Sequence, residues 1–377
     1  MRTALVNGRV LTGERIAGGQ TVLISSGRIE GVVPPGDPRC RDAVIVDLEG
    51  HILLPGFIDV QVNGGGGVLF NDDPSLDSIR AIGAAHRRFG TTGFLPTLIS
   101  DDLDTIGQAI AAVQASLDAR LPGPLGIHIE GPFLNWARRG VHDPKHLRRL
   151  DDGVISLLCS LRGGCTVLTL APEMTTTGMI AQLAAKGILI SAGHSDANFA
   201  QISAAIAHGV RGFTHLFNAM APLAPREPGI AGAALFDANT WCGIIVDGHH
   251  VDPVMLKLAL RCKRHDKFML VTDAMPPVGS PEPSFILQGR TIHVKDGVCR
   301  DENGTLAGTG LDMATAVRNA VSLLDLEIAE AARMASEYPA AFLGLDGELG
   351  RIAPGYRANL ALLDEDLRVQ RTWIDGL

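Results

Sequence analysis

No two cysteines of this sequence stand at CxxC spacing; the six, Cys40, Cys159, Cys165, Cys242, Cys262 and Cys299, are scattered along 377 residues. The start, MRTALVNGRVLTGERI, reads as an alternating strand and not as a secretory signal, so the expectation is reduced thiols in the cytoplasm. No apolar run reaches the roughly 18 residues that a membrane helix needs, and the slightly positive mean hydropathy therefore belongs to a core. Basic residues are short, 33 against 41 acidic for a net charge of -8. That balance gives no sequence-wide attraction to nucleic acid or to an anionic membrane, and an anionic ligand would need a local basic pocket. Low-complexity linkers are missing as well. With 46% hydrophobic and 20% charged residues the chain can bury a large core.

What is present divides into two patterns. The first fifty or so residues alternate and turn like antiparallel strands: ALVNGRVL, TVLISSGRIEGVV and AVIVDLEGHILL, separated by Gly, Pro and Asp. After Pro55, eight short apolar runs alternate with amphipathic stretches: GFIDVQV, TGFLPTLI, LGIHIE, TVLTLAP, ILISAGH, GFTHLF, GIIVDGHH and FMLVTDA. Between them lie segments such as SIRAIGAAHRRFG, TIGQAIAAVQASLDARL and FAQISAAIAHGV. Eight βα units predict a (β/α)8 TIM barrel of about 250 residues. The tail, GELGRIAPGYRANLALLDEDLRVQRTWIDGL, again reads as strands and turns. The fold expected is α/β, with a barrel over 55–347 and a small discontinuous β-sandwich domain made of 1–54 and 348–377.

Catalytic groups in such a barrel stand at the C-terminal ends of the strands. Glu130 closes LGIHIE, His194 closes ILISAGH, His215 closes GFTH and Asp273 closes FMLVTD. Any one of these alone fits a hydrogen-bonded structural residue. Four on four strands, converging at one mouth, point to a site: one carboxylate and two imidazoles suffice for a catalytic zinc with an open position.

At these residues the chain resembles the N-acetylglucosamine-6-phosphate deacetylases of the amidohydrolase superfamily. HIEGPFLN, LAPE, SAGHSDA, THLFNAM, REPGIAGA, GIIVDGHHVD, LVTDAM and DENGTLAG occur in that family's order, and the likeness runs from LPGFIDVQVNG to GRIAPGYRANL. It implies Glu130, His194 and His215 as metal ligands and Asp273 as the proton-transfer carboxylate. It also implies His142, in RRGVHDP, as the group that polarises the substrate carbonyl. Asn218, Ala219, Arg226 and His250 resemble the phosphate and sugar contacts, and Leu306, Ala307 and Gly308, in the loop after the eighth strand, a substrate-contacting stretch. Only the second histidine of the His249–His250 pair aligns with the family. Two-metal members of the superfamily carry His-x-His on the first strand, where this sequence has Gln61 and Asn63. Carboxamides are poor metal ligands and serve better by hydrogen bonding, so one divalent ion per subunit is expected, Zn2+ or Fe2+. Period two puts His128 on the same face as Glu130, either behind the ligands or as a further one.

The activity so implied is hydrolysis of N-acetylglucosamine 6-phosphate to glucosamine 6-phosphate and acetate, in amino-sugar catabolism or cell-wall recycling. A homodimer is implied with it, because some phosphate contacts in the family cross a subunit interface. The alternatives are an amidohydrolase for another N-acyl substrate, such as N-acetylgalactosamine 6-phosphate, and a barrel acting only as a scaffold. Retention of Glu130, His194, His215 and Asp273 argues against the scaffold.

Overall fold

The computed structural model describes residues 2–377; Met1, part of the expected N-terminal unit, lies outside them. Eight parallel strands form the centre: Phe57–Val62, Thr91–Ile99, Gly126–Glu130, Cys165–Leu170, Leu189–Ala192, Val210–Phe213, Trp241–Ile244 and Phe268–Leu270, each hydrogen-bonded to the next. They are the eight apolar runs of the sequence. The first three are buried at every residue, as expected of strands with helices on one side and a packed barrel interior on the other. Closure is made where the eighth strand runs out: Asn63 donates to Ala274 O at 2.9 Å and Asp273 N to Gln61 O at 3.1 Å.

The amphipathic stretches form the outer helices. Leu76–Arg87 starts on Ser75, whose hydroxyl accepts from Ser78 N. Phe199–Ala207 starts on a full capping box between Asn198 and Gln201. These caps satisfy backbone N–H groups that a first helical turn leaves unpaired. Among the described residues no helix is long and apolar enough to cross a membrane.

Both chain ends enter one seven-stranded sheet, in the order Val369–Trp373, Leu360–Leu363, Ile52–Pro55, Arg2–Thr12, Arg15–Ser25, Arg28–Val33, with Val44–Asp47 beside Arg2–Thr12. Alternate residues feed two faces: Leu5, Val22 and Ile24 pack with Leu360 and Trp373, while Ala4 and Leu23 pack with Val33.

One element was not expected. After the eighth barrel strand the chain makes a four-stranded antiparallel sheet, Ser284–Leu287, Arg290–Lys295, Val298–Arg300 and Leu306–Thr309. Leu306, Ala307 and Gly308, expected in a loop, lie on its last strand. Gly308 has φ +60, and a Cβ there would come within 2.8 Å of Asp273 O; only glycine lets this strand approach the barrel mouth so closely.

Candidate metal centre and active-site cleft

Glu130 is the last residue of the third barrel strand, while His194 and His215 lie just beyond the fifth and sixth. Their donor atoms meet. Glu130 Oε1 lies 3.2 Å from His194 Nε2 and 3.0 Å from His215 Nε2, and the two nitrogens are 3.0 Å apart. All three side chains are buried. His194 Nδ1 donates to the carbonyl of Arg138 at 2.9 Å; since a carbonyl only accepts, the Nε2 of the neutral ring carries its lone pair into the cluster.

Three electron-rich atoms at these separations match three corners of a tetrahedron with arms of ~2 Å, whose edges are ~3.3 Å. Electrostatics agree. Burial opposes ionisation of Glu130, but the contacts to His194 and His215 outweigh it and hold the carboxylate well below its usual range. Burial likewise opposes a proton on His215, yet Glu130 beside it raises the imidazole's affinity for one. A pocket that draws a proton between these groups also draws a metal ion. The residues present fit a divalent cation, and among the described residues they form the one group of His, Cys, Asp and Glu so arranged.

The remaining carboxylate is tied to the first strand. Asn63 Nδ2 donates to Asp273 Oδ1 at 2.7 Å, and Gln61 Nε2 donates both to Asp273 Oδ1 and to Glu130 Oε1, each at 3.1 Å. Facing carboxylates, both carboxamides must present nitrogen, which cannot ligate a metal. Burial and the Glu130 charge push Asp273 up to about 6. His128 is occupied at both ring nitrogens, by Val60 O at 2.9 Å and Thr169 Oγ1 at 2.8 Å, and burial lowers it to about 4, so neither nitrogen is free to join Glu130, His194 and His215. Strain marks the same residues. His194, His215 and Asp273 have φ of +48, +31 and +52, a left-handed backbone that is costly outside glycine and is held only where surrounding structure enforces it.

The cleft above the cluster encloses about 290 Å3 and is lined by His142, Asn218, Ala219, His250, Asp273, Leu306 and Gly308 among others. His142 Nδ1 takes the Ser100 backbone N–H at 3.3 Å and lies 2.7 Å from Ser100 Oγ. A backbone N–H only donates, so Nδ1 accepts and the neutral ring's proton sits on Nε2. Burial, with the nearby His194, depresses His142 to about 3 and keeps it neutral. Ser100 can reach it because Gly131, at φ +92, leaves room: a Cβ there would come within 2.3 Å of the hydroxyl oxygen. His250 Nδ1 lies 2.6 Å from Asp247 Oδ2; burial raises Asp247, but His250 and two backbone N–H groups bring it down to about 2. Two of the expected contact residues are not in the cleft lining. Arg226 stands exposed on the loop before helix Gly229–Phe236, outside the cleft lining, and Ala307 is fully buried.

Sequence reasoning missed the residues that hold these groups. Glu173, in LAPE, accepts from Asn135 Nδ2 at 2.8 Å, Ser195 Oγ at 2.7 Å and Asp196 N at 2.7 Å, joining the loops that follow three barrel strands. Asp247 was visible in DGHH, three residues before His250. Asp59, two residues before Gln61 and thus on the same strand face, accepts from Gln61 N and Thr272 N at 3.1 and 3.3 Å. Ser100 carried no signal of its own.

The family model described as Amidohydrolase family matches residues 52–377, and the chain belongs to the amidohydrolase family. More narrowly, it is 46% identical over 331 residues to the N-acetylgalactosamine-6-phosphate deacetylase of Shewanella sp. (strain ANA-3), covering 87% of this chain and 83% of that protein. It is 36% identical to the N-acetylglucosamine-6-phosphate deacetylase of Haemophilus influenzae, covering 100% and 99%. The crystal structure of N-acetylglucosamine-6-phosphate deacetylase from Pasteurella multocida superposes with a TM-score of 0.96 at 36% identity, over 100% of this chain and 99% of that one.

Proposed function

We propose that this cleft deacetylates N-acetyl-D-glucosamine 6-phosphate, giving D-glucosamine 6-phosphate and acetate in amino-sugar catabolism or cell-wall recycling. The observation that carries the reading is the meeting of Glu130, His194 and His215 beside Asp273, in a chain whose full-length relatives are named for this chemistry. Glu130, His194 and His215 would hold one Zn2+ or, with the same donors, Fe2+. As a Lewis acid such an ion makes water acidic enough to ionise near neutral pH and draws charge from the substrate carbonyl.

The chain's own residues do the rest. Asp273, fixed by the N–H groups of Asn63 and Gln61, takes the proton of the attacking water and passes it to the departing amine, which cannot leave as an amide ion. His142, neutral and with Nε2–H free of Ser100, donates to the acetamide oxygen as negative charge gathers there. His250, braced by Asp247, and Asn218 with the Ala219 backbone suit the sugar phosphate, and the Leu306–Gly308 backbone the ring.

Arg226 enters the same reading through a second copy of the chain. Leu223 and Phe236 expose 53% and 80% of their surface, around an apolar hollow that Phe199, Leu235 and Cys262 help to line. This patch adjoins the Arg226 loop and suits a homodimer face from which Arg226 reaches the partner's phosphate. The same reading takes 1–54 with 348–377 as the β-domain, 55–347 as the catalytic unit, and the cytoplasm as the compartment, in keeping with six unpaired cysteines.

A second reading, with N-acetylgalactosamine 6-phosphate as substrate, is favoured by the 46% identical relative. Acetate release by the metal-loaded protein decides among them, with both phosphorylated sugars and unphosphorylated N-acetylglucosamine compared. The expected result is a preference of orders of magnitude for phosphorylated substrate, greatest for the gluco epimer. Activity on neither phosphate would overturn the proposal, and a preference for the galacto epimer would establish the second reading.

A further inference from the structure

The turn Gln288–Gly289 connects Ser284–Leu287 to Arg290–Lys295 in the four-stranded sheet, with Leu287 paired to Arg290. Both turn residues have positive φ, +48 and +80, the mark of a type I′ hairpin, which favours Asn or Asp before Gly. The next hairpin of the sheet obeys that preference: Asp296–Gly297, at +51 and +78, lies between paired Lys295 and Val298. Glutamine lacks the short side chain that eases a left-handed backbone, so the turn alone does not account for Gln288.

Its extra length is used. Gln288 Nε2 donates to Ser100 O at 2.6 Å and Gln288 Oε1 accepts from Asp143 N at 2.7 Å. The carboxamide thus satisfies a carbonyl and an N–H that no other orientation would serve. Those backbone groups flank His142 on both sides: Asp143 follows it in sequence, and Ser100 holds its Nδ1. One side chain from the sheet therefore fixes the two segments that set the position and the tautomer of His142. We propose that Gln288 is a positioning residue for His142, through which the four-stranded sheet clamps the polarising group of the cleft. The inference rests on the reading of His142 as donor to the acyl oxygen.

Gln288→Asn in the metal-loaded full chain separates positioning from turn formation. Asparagine suits the left-handed position better, yet is one methylene too short for both bonds. The expected result is a fall in kcat of about tenfold or more, in line with the cost of misplacing a catalytic group by an ångström. KM should stay within about twofold and the chain should remain folded, with at most a modest fall in melting temperature from the hydrogen bonds lost. Gln288→Glu keeps the length but sets a carboxylate against the Ser100 carbonyl, and should also lower kcat. In a His142→Ala background neither substitution should lower kcat further. Parental kcat in both Gln288 variants, or losses that multiply with that of His142→Ala, would overturn the inference. If His142→Ala itself leaves kcat unchanged, the polarising role of His142 fails, whatever the Gln288 variants do.

Discussion

A primary carboxamide facing carboxylates has no choice of orientation, and Gln61 with Asn63 shows what replaces a pair of histidines on a first barrel strand. Three N–H···O contacts fix Asp273 and Glu130 where imidazoles would have offered lone pairs. Asp273→Asn should therefore keep its bound metal, measured by elemental analysis, yet lose several orders of magnitude in acetate release; full turnover would sink the proton-transfer role. Because burial and the Glu130 charge raise Asp273 to about 6, and a bound metal cation favours the ionised form, the acid limb of kcat/KM should fall at or below about pH 6. A limb near 8 would contradict it. Asp59 invites a different experiment. Burial pushes it from 3.8 to about 7, despite hydrogen bonds from Thr272 and Gln61. The folded chain thus holds a proton that the unfolded chain releases, and this contribution to stability, complete below 3.8, is lost as pH rises towards 7. Asp59→Asn mimics the protonated form, so its melting temperature should decline less than the parent's between pH 4 and 7; parallel curves would refute the assignment.

Loops following different strands are stitched together by single side chains. Glu173 joins Asn135, Ser195 and Asp196, and Asn135 N in turn donates to His194 O at 3.0 Å. Glu173→Ala leaves three donors unpaired, at a cost on the order of 1–3 kcal/mol for a buried one. A lower denaturation midpoint and faster metal loss on dialysis should follow, with Glu173→Gln milder; metal retention equal to the parent's would show the stitching to be dispensable. The barrel strands were legible because helices on one side and a packed interior on the other make each a continuous apolar run, ended by the polar residue that reaches the mouth. The four-stranded sheet was not. Ser284–Leu287 buries one residue in four and Val298–Arg300 spans three residues, too little pattern for periodicity to register. Gln288 was invisible for the same reason: at a turn, a polar residue beside glycine reads as solvent-facing, and only the fold reveals that its side chain points inward.

At the scale of the molecule, the placement of Arg226 makes the assembly testable. It is exposed and outside the cleft lining, and the proposed reading has it contact the phosphate bound by another copy. Phe236→Glu, on the apolar patch, should give a monomer by light scattering with activity on the phosphorylated sugar much reduced. Mixing Arg226→Ala with Asp273→Asn should restore part of the activity that each lacks alone, since a mixed dimer contains one site with both groups. No recovery, with mixed dimers present, would mean that Arg226 serves its own subunit or none.

The strand Ile52–Pro55 is buried at all four residues and pairs antiparallel with Leu360–Leu363. A ribosome finishes the first of these strands roughly 300 residues before the second; at about 5–20 residues per second the interval is on the order of 15–60 s. For that time the nascent chain carries an apolar strand with an open edge, the kind of surface on which chains aggregate. The strand Leu360–Leu363, made so much later, is the one that closes it.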